Sequence, residues 1–375
     1  MNNSGNKSLD FGGVRQSNLE LYRIVCMLLI VAHHCVVNSG LIGIDAATDT
    51  PTGPISSSPT GTNSLVLWIF GMWGKTGINC FLLITGYFMC ISTITIRKFV
   101  KLLGWIYTYK IIIFLIFLTA GYETLSIKRI VQTLMPVWGF NTNFVSCFIG
   151  FWLTIPFWNI LIRNMSQPQH KLLLLLLLGM YTILGSIPQF NVTFNYITWF
   201  GVIYLISSYI RLYPNPFFHN KRLWMCMTFV VVVLAICSMI VMSYLFGSKN
   251  STFFVSDSNK IMAVSVAVTS FLWFMNMKIK YNKLINMIGA STFGVLLIHA
   301  NSDAMRQWLW KDTVDCVGHY YLPTFQMICY FIGCVLLIFI ICTIIDIIRI
   351  KTIEKYFLKW FDKKYNNKNQ ICQKI

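Results

Sequence analysis

The sequence predicts an all-α, polytopic membrane helix bundle of about ten transmembrane helices with both termini in the cytoplasm. Three observations carry that expectation. Of the 375 residues, 56% are hydrophobic and 11% charged, with a mean hydropathy of +0.64, whereas a soluble domain is about a quarter charged. The apolar residues gather into blocks near the roughly 20 residues that a helix needs to cross about 30 Å of hydrocarbon. The segments between them, such as DTPTGPISSSPTGTN, RNMSQPQHK and RLYPNPFFHNKR, are short, polar and rich in turn formers, which suits loops outside a bilayer.

Residues 1–18 lack the apolar core and cleavage site of a signal peptide, so they read as a cytoplasmic segment before a retained anchor. The expected spans are 19–39, 65–92, 100–120, 143–164, 171–190, 194–213, 223–246, 260–277, 284–300 and 323–348. They make one transmembrane domain, 19–348, followed by a basic cytoplasmic tail, 349–375. With the N-terminus inside, the loops on that side collect Lys7 and Arg15, then Arg97, Lys98 and Lys101, then Arg163 and Lys171. Arg211, Lys221 and Arg222 follow, then Lys278, Lys280 and Lys283, and the tail adds a run from Arg349 to Lys374. That asymmetry is the positive-inside pattern. The net charge of +18 is therefore a topology signal and not a nucleic-acid surface, although part of it suits anionic lipid headgroups or an anionic ligand at the inner face. Most of the 12 cysteines lie inside the spans, with Cys316 in an outer loop and no CxxC, so they read as packing residues. The 6 histidines show no ligand spacing, and no metal is expected.

An ionisable side chain inside a span is costly and usually faces a cavity, a partner or a substrate path. The first span, ELYRIVCMLLIVAHH, carries Arg23 and His34 eleven residues apart. At about 100° per residue that is close to three turns, which leaves both on one face about 16 Å apart. Glu20 is spaced to pair with Arg23, and His33 lies off the shared face. A neutral imidazole near pH 7 suits general-base work, and an arginine fork suits phosphate or carboxylate. The competing reading is a snorkelling arginine and a histidine bonded to a neighbouring helix.

In the second span, FGMWGKTGINCFLLITGYFMC, Gly71, Gly74 and Gly77 recur every three residues beside Lys75 and Asn79. They allow close approach of a ligand or of another helix, and helix packing is the plainer account. Thr85, Gly86 and Tyr87 follow, then the basic strip Arg97, Lys98 and Lys101. The ninth span, STFGVLLIHANSDAMRQWLW, ends on His299 and leads to Asn301, Asp303 and Arg306, with Trp308 and Trp310 as candidates for an interfacial aromatic belt. YETLSIKRIVQTLMPVWGF places Ile127, Ile130, Val131 and Leu134 at helical spacing, which predicts a helix on the membrane surface or over a cavity mouth.

NLELYRIVCMLLIVAHH, GKTGINCFLLITGYF, FWLTIPFWN, WFGVIYLISSYIRLY and STFGVLLIHAN, in that order, resemble acyltransferase family 3 of integral membrane O-acyltransferases. The similarity runs from about residue 17 to 348. The family's members are bacterial inner-membrane proteins that acylate, most often acetylate, sugars of cell-surface and exported polysaccharides. Arg23 and His34 fit the family's arginine and histidine separated by ten residues, so the resemblance implies a catalytic His34 and an Arg23 that helps to hold the donor. Thr85, Gly86 and Tyr87 stand where the family has a Ser-Gly-Phe/Tyr element. Arg97 and Lys98 stand where many members have an arginine pair, and the lysine lacks the bidentate fork. Ser207 replaces a usual glycine, and its segment is assigned no catalytic role.

The resemblance implies acetyl-CoA, or another acyl-CoA, as donor and a polysaccharide or lipid-linked glycan as acceptor, in the bacterial plasma membrane. Membrane lipids and polysaccharide assembly proteins are the remaining expected partners. Arg97, Lys98 and Lys101 would hold the donor's phosphates, with Arg23 beside its thioester arm. His34 would be the base, with His299 as a further catalytic candidate, and Thr85, Asn79 or Lys75 would donate to the oxyanion. Intramembrane Arg, His and Lys would also suit an exporter of glycans or lipid-linked sugars, which would need no CoA. A non-catalytic assembly partner would tolerate His34→Ala.

Overall fold

The computed structural model describes residues 15–372 except positions 46, 47, 49, 136, 139, 141, 142 and 191, with side chains through 365. Lys7, Lys374 and most of the expected N-terminal segment lie outside the described residues. The chain folds as a helix bundle, and the described residues include no strand beyond a single bridge between Ile44 and Pro51. In order, the helices are α1 (Ser17–Val37), α2 (Pro54–Ser57), α3 (Thr62–Gly71), α4 (Gly74–Met89), α5 (Ile96–Thr119) and α6 (Ile127–Leu134). Then come α7 (Phe144–Asn164), α8 (Gln167–Leu178), α9 (Tyr196–Leu212), α10 (Lys221–Phe246), α11 (Ile261–Met275) and α12 (Lys283–His299). The chain closes with α13 (Asp303–Arg306), α14 (Cys316–His319), α15 (Thr324–Arg349) and α16 (Lys355–Cys372).

Polar side chains at the loop ends start these helices. Asn143, Asn195, Asn220 and Asn282 each accept a bond from a backbone N–H in the first turn of α7, α9, α10 and α12, and Thr95 does the same for α5. Such caps satisfy donors that a helix leaves open at its N-terminus. Ser166 and Gln169 close a reciprocal capping box on α8.

Among the described residues, 7 helices are long and apolar enough to cross a membrane, or 8 if Lys283–His299 and Asp303–His319, bent by 94°, count together. Two shorter apolar helices, Tyr196–Leu212 and Ile261–Met275, occupy the remaining expected positions. Each expected block thus contains a helix, but several differ in form. The second block breaks at Met72 and Trp73 into α3 and α4. The tenth does not stop at 348: α15 passes through a π-helical turn, Ile350–Glu354, into α16.

Helix α1 is the hub, packed by α3, α4, α11, α12 and α15. Its first turns are held by hydrogen bonds: Asn18 Nδ2 donates to the Phe274 and Met275 carbonyls at 3.0 and 2.9 Å. Ser17 Oγ donates to Asn286 Oδ1 and accepts from the Asn282 N–H. The glycine stripe of α3 and α4 is where α1 comes closest. A Cβ on Gly71, Gly74 or Gly77 would run into Val36, His33 or Ile30 respectively.

Candidate active site

A cavity of about 500 Å³ opens at the end of the bundle where α1 finishes. His33 and His34 from α1, Gly74 and Lys75 from α4, Lys110 from α5 and Tyr196 from α9 line it. Arg129, Gln132 and Thr133 of α6, the helix expected on the membrane surface or over a cavity mouth, also line it. Ile30, Ile78 and Phe81 add apolar side chains to its lining.

The histidine hydrogen bonds define their own tautomers. His299 Nδ1 lies 2.6 Å from the Val295 carbonyl, and a carbonyl only accepts, so Nδ1 carries the proton. In neutral His299 the Nε2 must then accept. It lies 2.9 Å from His34 Nδ1, which is therefore the donor. The chain His34 Nδ1–H to His299 Nε2, and His299 Nδ1–H to Val295 O, leaves the lone pair of His34 on Nε2. By the same reasoning His33 Nδ1 donates to Gly71 O at 2.6 Å. Gly71 ends α3, so the break between α3 and α4 places its carbonyl beside His33. Trp310, a candidate for the interfacial belt, is instead fully buried and packs edge-on against His299 at 6.4 Å.

Charged groups line the walls. Lys75 Nζ donates to Tyr196 OH and lies 3.5 Å from Asp257 Oδ1, and Tyr196 OH donates to the same Asp257 oxygen at 3.0 Å. Arg129 pairs with Glu123 at 3.2 Å and Arg306 with Asp303 at 2.9 Å. Lys110 Nζ donates to the Gln132 carbonyl at 3.3 Å. Helix α4 begins at the cavity wall with Gly74 and Lys75.

Of the site residues expected from the sequence, His34 and Lys75 line this cavity, with His33, Gly74, Asn301, Asp303 and Arg306, and His299 stands behind them, joined through its bond to His34. Arg23, Thr85, Asn79, Arg97, Lys98 and Lys101 do not line it. Arg23 Nη1 binds Glu20 Oε1 at 2.9 Å, as its spacing predicts, and is separated from Ile30 by about 10 Å of helix. Thr85 Oγ1 donates to the Phe81 carbonyl at 2.8 Å. Asn79 is fully buried, donating to Ser258 O and accepting from Trp199 Nε1. Arg97 makes a bidentate pair with Asp362 at 2.8 and 3.0 Å. Lys98 Nζ donates to Ser92 Oγ and Thr93 O, both at 2.7 Å, and Lys101 binds Glu354 Oε1 at 2.7 Å. No group of three or more His, Cys, Asp or Glu is placed to hold a metal among the described residues.

The sequence reading missed Lys110, Glu123, Tyr196 and Asp257. Lys110 carried a usable signal, a lysine inside the apolar run TYKIIIFLIF. It also missed a buried cluster at the far end of the bundle. Asp346 Oδ1 accepts from Trp105 Nε1, Tyr109 OH and Arg349 Nε at 2.9, 2.7 and 2.8 Å, and Arg349 also binds Glu354 at 2.8 Å.

A family model described as an acyltransferase domain matches residues 16–346. No curated protein and no solved structure matches the chain.

Proposed function

The chain belongs to acyltransferase family 3, whose domain covers residues 16–346, and from that membership we propose that it moves an acyl group, acetyl in the simplest case, from acyl-CoA to a sugar hydroxyl. The acceptor is a cell-surface or exported polysaccharide or its lipid-linked precursor, and the site of action is a bacterial plasma membrane with both protein termini in the cytoplasm. The observation that carries this reading is the lone pair on His34 Nε2, held in a cavity of about 500 Å³ by the bond to His299.

In this mechanism His34 Nε2 takes the proton of the sugar hydroxyl as its oxygen attacks the thioester carbonyl. The carbonyl oxygen becomes an oxyanion, which Lys75 Nζ stabilises. Collapse breaks the C–S bond, and the His34 imidazolium returns the proton to the departing thiolate. His299 positions His34 and does not touch the reacting atoms. The oxyanion role falls to Lys75 and away from Thr85 and Asn79, whose polar groups are bonded elsewhere.

The donor's phosphates meet Arg97, Lys98 and Lys101 by exchanging for the carboxylates of Asp362 and Glu354 and for the oxygens that Lys98 now holds. Its acyl arm passes Arg23 and enters the cavity through a parting of Ile30, Ile78 and Phe81. Family membership favours transfer over export, and no feature of the cavity favours export.

The test is transfer of labelled acyl groups from acyl-CoA to a pool of surface glycans by the purified protein in nanodiscs. Wild type is expected to label glycan, His34→Ala is expected to fail, and Arg23→Ala is expected to need more donor. A wild type that neither binds nor consumes any acyl-CoA would sink the proposal.

A further inference from the structure

The cavity holds a cation that the transfer chemistry does not use. Lys110 lies within the 24 residues of α5, where a charge costs several kcal/mol unless something compensates it. Its ammonium reaches α6, where it donates to the Gln132 carbonyl at 3.3 Å. The other cations on the cavity wall each have a carboxylate within 4 Å: Lys75 has Asp257, Arg129 has Glu123 and Arg306 has Asp303. Among the described residues Lys110 has none.

A second cation converges on the same spot. Arg129 Nη1 donates to Gln132 Oε1 at 3.4 Å, so Gln132 takes Lys110 on its main chain and Arg129 on its side chain. Both contacts are with neutral oxygens, and both are long for bonds from a charged donor, which usually run near 2.7–2.9 Å. An ammonium has three donors, and Lys110 spends one. Across the cavity, Arg306 Nε is buried with no partner. Counting lining residues, Lys75, Lys110, Arg129 and Arg306 face Glu123 and Asp303, so positive charge is in excess.

We propose that the acceptor is anionic: the sugar presented to His34, or its neighbour in the glycan, bears a carboxylate or a phosphate, and Lys110 with Arg129 binds that group beneath α6. This rests on the acyltransferase reading and adds the acceptor's chemical class. The anion supplies the missing counter-charge at Lys110 and fixes which hydroxyl reaches His34. Lys110 is half-buried in the wall, so its attraction is screened less than that of a fully exposed charge.

The experiment compares three oligosaccharides of equal length: a neutral hexose, a hexuronate and a sugar-phosphate diester. Each is measured in nanodiscs for binding by calorimetry without donor, and for labelling from acyl-CoA. Wild type should prefer one or both anionic acceptors, and the better arm identifies the group. Lys110→Gln should cut anionic binding roughly tenfold, the size of one lost charge-assisted hydrogen bond, and leave neutral binding unchanged. Lys110→Arg should keep the preference.

If Lys110 merely clamped α6, Lys110→Gln would weaken all three acceptors alike, and that outcome would overturn the proposal. So would a wild type indifferent to acceptor charge, even with vigorous transfer, which would leave the acyltransferase reading standing. Anionic binding that is lost in Lys110→Gln without transfer to any acceptor would do the reverse. Should Lys110→Gln not fold, Arg129→Gln with the same acceptors decides, since it must also lose anionic preference.

Discussion

Replacing His299 with leucine tests the tautomer chain directly. His299 is fully buried and its Nε2 is the acceptor for His34 Nδ1–H at 2.9 Å. Leucine fills much of the space but accepts nothing. His34 must then leave Nδ1–H unpaired or move its proton to Nε2, which removes the lone pair from the nitrogen assigned as base. A buried donor stripped of its partner costs about 1–3 kcal/mol. As an added barrier this slows transfer between about fivefold and about a hundredfold. The loss should appear in kcat, with KM for the donor unchanged, because no donor contact is assigned to His299. His299→Gln, whose Oε1 accepts, should recover most of the rate. Steady-state acyl transfer in nanodiscs measures both variants. Equal rates for Leu and Gln, or a wild-type rate in His299→Leu, would refute the reasoning.

Three further outcomes follow. Gly74→Ala puts a methyl into the His33 ring and should cost about 1–3 kcal/mol in stability with loss of transfer, while Gly333→Ala, with open space around it, should melt like wild type. Asp346→Ala strips Arg349, which is 4% exposed, of one of its two carboxylates, and about 3 kcal/mol of stability should go with it; an unchanged thermal denaturation curve in detergent would count against this. The thiols of Cys35 and Cys316 lie 3.7 Å apart and buried, so a small membrane-permeant disulfide oxidant should join α1 to α14 with loss of two hydrogens in intact mass, and Cys316→Ser should abolish the change.

Helix positions were legible because a bilayer imposes a length and a polarity on its spans, but their number was not: of ten expected, 7 or 8 are long and apolar enough to cross, and Tyr196–Leu212 and Ile261–Met275 are shorter. The breaks inside the spans were harder to read. Gly71 and Gly74 signalled close packing, which α1 supplies, but nothing in a single stretch says that the helix stops at Met72 so that Gly71 O can meet His33. His34 and Arg23 share a face as their spacing requires, yet the cavity follows only part of that face and ends at Ile30. Thr85 and Asn79 illustrate a general difficulty: a polar residue in a span must bond something, and here the partners are Phe81 O and Ser258 O. The basic strip was visible, whereas its carboxylate partners Glu354 and Asp362 lie more than 250 positions away in sequence and meet it only through the helix that continues from α15.

That helix has a mechanical consequence. Thr324–Tyr365 spans 42 residues, about 63 Å at 1.5 Å per residue, roughly twice the hydrocarbon thickness of a bilayer. A large part of it must therefore stand among the headgroups or beyond them. There the Lys101–Glu354 and Arg97–Asp362 pairs strap it to the start of α5. Together with the bonds from Trp105 and Tyr109 to Asp346, these pairs clamp the long helix to α5 at several levels, so the strip where the donor is proposed to dock is braced against sliding of the two helices.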